Sequence, residues 1–460
     1  MASEHEHGKN KPGRGCSKGC LGLATAVVFL LLVLAMLAAL YVENIDERIN
    51  ARIQDIRDAG EPATLEDLEA WVGRVEDKDN AAIPLQKAMD SSVGPASPDA
   101  QLPFVTGNLN SLKPTDPLSD AVRTETAVYL EQNATCLLAL KEAATYSECR
   151  FPINFSGGDI ADLPRLAKLR TLMRDVCLAA TYESEIGKSQ DALETLLAGM
   201  RLSEAVRREP ALISQLVRIA LRAMLLEGTE HCLNRTSFTS DQLKQLQDAL
   251  QSINTGDCAY TGLLGERCVL MDSFYGAMPM SGPGVFSGSW GPLGWRYRLD
   301  QETYLETIDA MIEAAKLPPG EGWNRAEELH DEWMPENRSR LSQFLTVISD
   351  MQIPVLTKSL EVQARDASSL NSAISACALL RYRLEKHTLP ATLTELVPQY
   401  LEQPPIDCMD GQPLRYVRDD HAFTVYSVGP NRKDERGREP EEGEDLSETG
   451  DMSFAVRLRP

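Results

Sequence analysis

The sequence predicts a mainly α-helical fold: an N-terminal transmembrane helix, an irregular helical-hairpin domain, and a small C-terminal α+β module with a short antiparallel sheet. Three observations predict it. Residues 19–42, GCLGLATAVVFLLLVLAMLAALYV, run for 24 residues without a charge, and an apolar helix of about 20 residues crosses the hydrocarbon core of a bilayer. The rest of the chain is rich in Ala and Leu and holds only 6 % aromatic residues, a composition that favours helix over sheet. After His387 the pattern changes to turn residues and short apolar runs.

Taken in order, residues 1–18 are polar and predict a disordered tail on the cytoplasmic side. Lys9, Lys11, Arg14 and Lys18 precede the apolar run, whereas Glu43, Asp46 and Glu47 follow it. That asymmetry predicts an N-in, single-pass signal-anchor in a bacterial inner membrane, with the bulk periplasmic or otherwise extracytoplasmic. A cleaved signal peptide is the competing reading, but the run is longer than an ordinary signal-peptide core. Ile45, Ile49, Ile53 and Ile56 repeat at helical spacing and predict a stalk over 43–60, which either packs on the body or pairs with a second stalk. Gly60 and Pro62 end that helix. Thr64, with Asp67 three residues on, starts the next as a capping box.

Residues 61–387 read as one helical domain. Helical patterns cover 80–91 and 117–150, separated by a Pro/Ser/Gly/Asn-rich loop. Four helices with short joints follow, over 163–186, 189–208, 211–232 and 239–253, the most regular part of the body. The second of these, with the end of the first, has one tetratricopeptide-like unit but no second unit at the matching offset. Residues 280–297, MSGPGVFSGSWGPLGWRY, read as a long loop whose Trp290 and Trp295 make it the surface-recognition candidate. A long helix over 339–387 carries Pro354 and a predicted kink there.

Composition narrows function. The net charge of −22 argues against nucleic acid, which needs a basic footprint. Ten cysteines are scattered without a CxxC pair, which argues against a zinc site. No HExxH, P-loop, GxSxG or GxGxxG occurs. Glu327, His330 and Asp331 share a helix face, as an exposed acidic face or a metal site. Glu266 and Arg267 sit in an otherwise apolar helix, a pattern that predicts burial with partners. No residue is put forward as catalytic.

The module at 388–460 predicts strands at 414–418, 422–428 and 452–458. Its phrase LPATLTELVPQYLEQPPIDCMDGQPLRYVRDDHAFTVYSVGPNRKDERG resembles the C-terminal β region of type II secretion major pseudopilins. The phrase GEPATLEDLEAWVGRVEDKDNAA resembles uncharacterised membrane-anchored bacterial proteins of planctomycete type. The pseudopilin resemblance implies a calcium site at Ser427, Val428, Asn431, Asp434 and Asp451, with Asn431 standing where the family has a carboxylate. Calcium is the one cofactor implied, against the plainer reading of a solvated acidic loop. The apolar run lacks the Glu that a processed pilin subunit needs. The function expected is a single-pass membrane-anchored scaffold or binding protein of the cell envelope. Its partners would be the membrane through 19–42 and other proteins or itself through the stalk. The alternatives are an accessory component of a secretion or pilus-like assembly, and an envelope hydrolase.

Overall fold

The computed structural model describes residues 17–97, 100–106, 112–157, 160–275, 294–334, 339–438 and 450–458. Helix accounts for 65 % of the described residues, and the sheet among them is a three-stranded antiparallel one at the C-terminal end. In order the helices are α1 (Ser17–Asp58), α2 (Leu65–Val72), α3 (Ala82–Ser91), α4 (Asp120–Gln132), α5 (Ala134–Ala143), α6 (Leu163–Glu185) and α7 (Ser189–Ser203). Then come α8 (Leu212–Arg235), α9 (Ser240–Gln251), α10 (Cys258–Tyr275), α11 (Gly294–Ala315), α12 (Pro319–Trp333), α13 (Arg340–Leu345) and α14 (Val347–Lys386). The strands are β1 (Arg415–Arg418), β2 (Ala422–Ser427) and β3 (Met452–Arg457), in spatial order β1-β2-β3.

Local chemistry sets the boundaries. Thr64 and Asp67 form the reciprocal capping box at the start of α2, satisfying two backbone N–H groups that no helical carbonyl reaches. Thr239 with Gln242 does the same for α9. α1 ends at Asp58, and the turn after it passes through Gly60, whose φ of +78° lies where a side chain is strained. Pro354 stands inside α14, which continues through it to a left-handed cap at His387. The strand register pairs Tyr416 with Val425 and Val425 with Phe454, so Phe423, Val425, Phe454 and Val456 are buried by the period-two alternation.

The largest core runs through α3, α5, α6, α7, α8, α9 and the C-terminal half of α14, and continues into the strands through Phe423, Val425, Phe454 and Val456. α6, α7 and α8 pack on one another. Gly199 sits close to Leu225 and Val176, and Gly228 close to Cys177. A second cluster joins α10, α11, α12 and the N-terminal half of α14. The isoleucine stripe of α1 is buried, with Ile45, Ile49, Ile53 and Ile56 packed on Met271 and Leu305. That face of the helix is therefore taken by the body itself. Arg48–Glu302, Arg52–Asp309 and Arg298–Asp46 ion pairs fasten its flank to α11.

The membrane expectations are corrected. Among the described residues no helix is long and apolar enough to cross a membrane. The run 19–42 is the N-terminal part of the 42-residue α1. From Glu43 onward the same helix is charged and docks on the body. The described structure therefore does not support the transmembrane helix of the fold class, the single-pass signal-anchor, or the inner-membrane, N-in placement with a periplasmic bulk.

Candidate binding cleft

α8 reads SQLVRIALRAM, with Arg218 and Arg222 four residues apart in apolar surroundings. Side chains at i and i+4 share a helix face, and this face points inward, so both guanidinium groups are buried. Each has found partners from elements distant in sequence. Arg222 donates to both oxygens of Asp366 on α14, at 3.2 and 2.6 Å, and to Glu204 just past α7 at 3.0 Å. Its Nη2 also lies 2.9 Å from Cys258 Sγ. Arg218 donates to Glu204 and, at 2.7 Å, to Asp257 at the start of α10. α14 adds Gln363, whose Oε1 accepts the N–H of Ala259 at 2.7 Å. Four helices are thus cross-tied at one point. Burial pushes the Asp366 carboxyl upward, and the Arg222 charge opposes it.

Above this tie lies a cleft of about 720 Å³. One wall is apolar, from Trp71 and Val72 at the end of α2, Leu197 and Met200 on α7, and Ala249 and Ile253 around the end of α9. The other carries charge. Arg207 donates to Asp257 at 3.0 Å, and Arg208 pairs with Glu148 at 2.8 Å. Arg201, in the last turn of α7, lines the same space and is exposed. Cys149 also lines it, but burial pushes its thiol up to about 12, so it stays protonated and is a poor nucleophile.

The other buried ionisable groups also serve packing. Arg267 donates to the Pro62 carbonyl and pairs with Glu61 and Asp309, each at 2.9 Å, closing the α1–α2 joint on α10 and α11. Glu266, beside it, is raised by burial and hydrogen-bonds to the Leu212 N–H. Arg165 pairs with Glu209 at 2.9 Å and lies 4.3 Å from the Phe151 ring centroid. Desolvation raises Glu209 to about 7.

The residues singled out from sequence fall elsewhere. Ser427 and the Val428 N–H both donate to Asp407, at 2.7 and 2.9 Å. Asn431 donates to Glu435 at 3.0 Å. Asp434 accepts from the Tyr426 hydroxyl at 3.0 Å, and Asp451 accepts from the Gly437 N–H at 2.6 Å. Asp451, Asp434 and Glu435 are near enough that their charges raise the Asp451 carboxyl, after burial as the larger cause. Among the described residues no group of three or more His, Cys, Asp or Glu is arranged to hold a metal ion. Glu327 pairs with Arg432, which also covers the Trp323 ring at 3.9 Å. His330 faces Thr357. Trp290 lies outside the described residues. Trp295 falls in the first turn of α11 rather than in a loop, and its side chain is outside the description.

Sequence reasoning missed Asp407, the organiser of the C-terminal module. It is fully buried and accepts from Ser427, Val428, Met409, Ser368 and Arg415. It also missed Arg218 and Arg222. The signal was the one that identified Arg267: a charge inside an apolar helical run.

No family model, curated protein or solved structure matches the chain. No family match therefore supports the pseudopilin-like reading of residues 388–456.

Two buried groups predict opposite pH responses. Burial raises Asp175 from its ordinary 3.8 to about 6, against the Tyr129 hydroxyl that donates to it at 2.7 Å. Its contribution is complete below about pH 4 and is lost as pH rises through 6. Burial lowers His231, packed edge-on to Phe104 with centroids 5.0 Å apart, from 6.5 to about 3. Its contribution is complete above pH 6.5 and is lost as pH falls. Asp175→Asn is expected to gain about 3 kcal/mol relative to the parent on moving from pH 4 to 7. His231→Phe is expected to gain a similar amount in the opposite direction. Urea melts at pH 4, 5.5 and 7 test this, and stability curves parallel to the parent's would refute both assignments.

Proposed function

We propose that this chain is a binding protein and scaffold whose recognition site is the cleft between α2, α7, α9 and α10. The observation that carries the reading is a cleft of about 720 Å³, within the roughly 300–1,000 Å³ range of small-ligand sites, set on a rigid base. The base is rigid because Arg218 and Arg222 link α7, α8, α10 and α14 through Glu204, Asp257 and Asp366. The lining supports recognition more than turnover. Its thiol is held protonated, and its carboxylates Glu148, Glu204 and Asp257 are each engaged by an arginine.

The test is a thermal-shift screen of the full chain against a panel of small acids, alcohols and amines with apolar bodies. A ligand that binds only the folded state stabilises it by about 2.7 kcal/mol at a hundred times its Kd. The expected result is a concentration-dependent rise in Tm for some of the panel, lost in Trp71→Ala, with the ligand recovered unchanged. Chemical conversion of the bound compound would move the reading to the hydrolase alternative. Tm rises that persist undiminished in Trp71→Ala would remove the cleft as the site.

A further inference from the structure

The charge balance around the cleft departs from that of the chain. Acidic residues outnumber basic ones by 68 to 46 over the whole sequence. At the cleft and the tie beneath it five arginines, at 201, 207, 208, 218 and 222, meet four carboxylates, at 148, 204, 257 and 366. Ion pairing uses every carboxylate and four of the arginines. Among the described residues Arg201 has no ion-pair or side-chain hydrogen-bond partner, and it lines the cleft together with the apolar wall of Trp71, Leu197 and Met200. A guanidinium presents a planar fork of donors that matches a carboxylate. The adjoining wall offers apolar area and an aromatic face.

We infer that the cleft takes a small amphipathic carboxylate, its acid group on Arg201 and its apolar body along Trp71. This inference rests on the cleft being the recognition site. A cationic ligand is disfavoured because no carboxylate in the cleft is left unpaired. A neutral ligand would leave the one uncommitted charge without a counter-ion.

The probes are 2-naphthoate, its neutral twin 2-naphthylmethanol and its cationic twin (2-naphthylmethyl)ammonium, titrated calorimetrically into the full chain. Saturable one-to-one binding of 2-naphthoate is expected, at a Kd on the order of 1 mM or tighter. Its affinity should exceed that of the alcohol by about tenfold, with the ammonium weakest. Arg201→Gln should erase the difference between acid and alcohol, while Arg201→Lys keeps part of it at unchanged Tm. Raising the salt concentration should weaken the acid and not the alcohol. Equal binding of acid and alcohol, lost together in Trp71→Ala, would overturn the carboxylate inference and leave the cleft as the site. A preference for the acid that survives Arg201→Gln would overturn the assignment to Arg201. Absence of saturable binding by 2-naphthoate would also overturn the inference, while the wider panel tests the cleft separately.

Discussion

Gly265→Ala is expected to destabilise the fold by more than about 3 kcal/mol, beyond the usual 1–3 kcal/mol cost of overpacking. A Cβ at this position would lie 1.3 Å from the Pro210 carbonyl oxygen and 2.5 Å from its carbon. In an open helix interior the same change would gain about 1 kcal/mol from helix propensity, so the sign is decided by whether the neighbour can move. It cannot move alone. The obstacle is backbone, in the residue that leads into α8, and at Gly262, one turn earlier, an added Cβ would likewise lie 3.0 Å from the Cα of Leu212 in the same segment. Relieving the clash would lift the start of α8 from α10. That would disturb Ser214, which donates to the buried Glu209 at 2.8 Å, and the Leu212 N–H contact with Glu266. Gly94→Ala is the control: no atom lies within 4 Å of its added Cβ, and the denaturation midpoint should hardly move. A Gly265→Ala midpoint within the spread of that control would refute the close approach of α10 to Pro210.

The glycine shows which parts of the molecule were legible in the sequence. Signals that act within a few residues were readable. Thr64 and Asp67 announce α2, Gly60 marks the turn after α1, and alternation marks three strands within a residue or two of their observed ends. The isoleucine stripe of α1 was readable as a face, but its partners Met271 and Leu305 lie more than two hundred residues away. The apolar run 19–42 fixed its hydrophobicity but not the surface it would meet. For the cleft, almost nothing was local. Trp71, Arg201 and Asp257 come from three segments, and only folding brings them to one rim. The arginine pair of α8 did leave a trace, as charges inside an apolar periodicity. That pattern gives burial and the need for counter-charges, while the identity of the counter-charge, 144 residues on at Asp366, is a property of the topology.

Arg222→Met is expected to lower stability by about 3–5 kcal/mol, the range for breaking a buried ion pair from one side. Asp366 is 5 % exposed and Arg222 is 1 % exposed, so water cannot replace the lost guanidinium. Asp366 would be left as a buried carboxylate already biased toward the neutral form by desolvation. Glu204 would keep Arg218, which limits the damage to one orphaned charge. The double variant Arg222→Met, Asp366→Leu separates two readings of the network. If the tie stabilises chiefly by avoiding an unpaired charge, the double variant recovers most of the loss, because apolar residues of similar size can match a buried ion pair. Its urea midpoint would then approach that of the parent with the same m-value. If the tie instead fixes the orientation of α14 against α8, the double variant regains stability but leaves the cleft misshapen. Binding of 2-naphthoate would then stay weak at a restored midpoint. Measuring both quantities on the same three proteins therefore distinguishes an ion pair that maintains the fold from one that shapes the site above it.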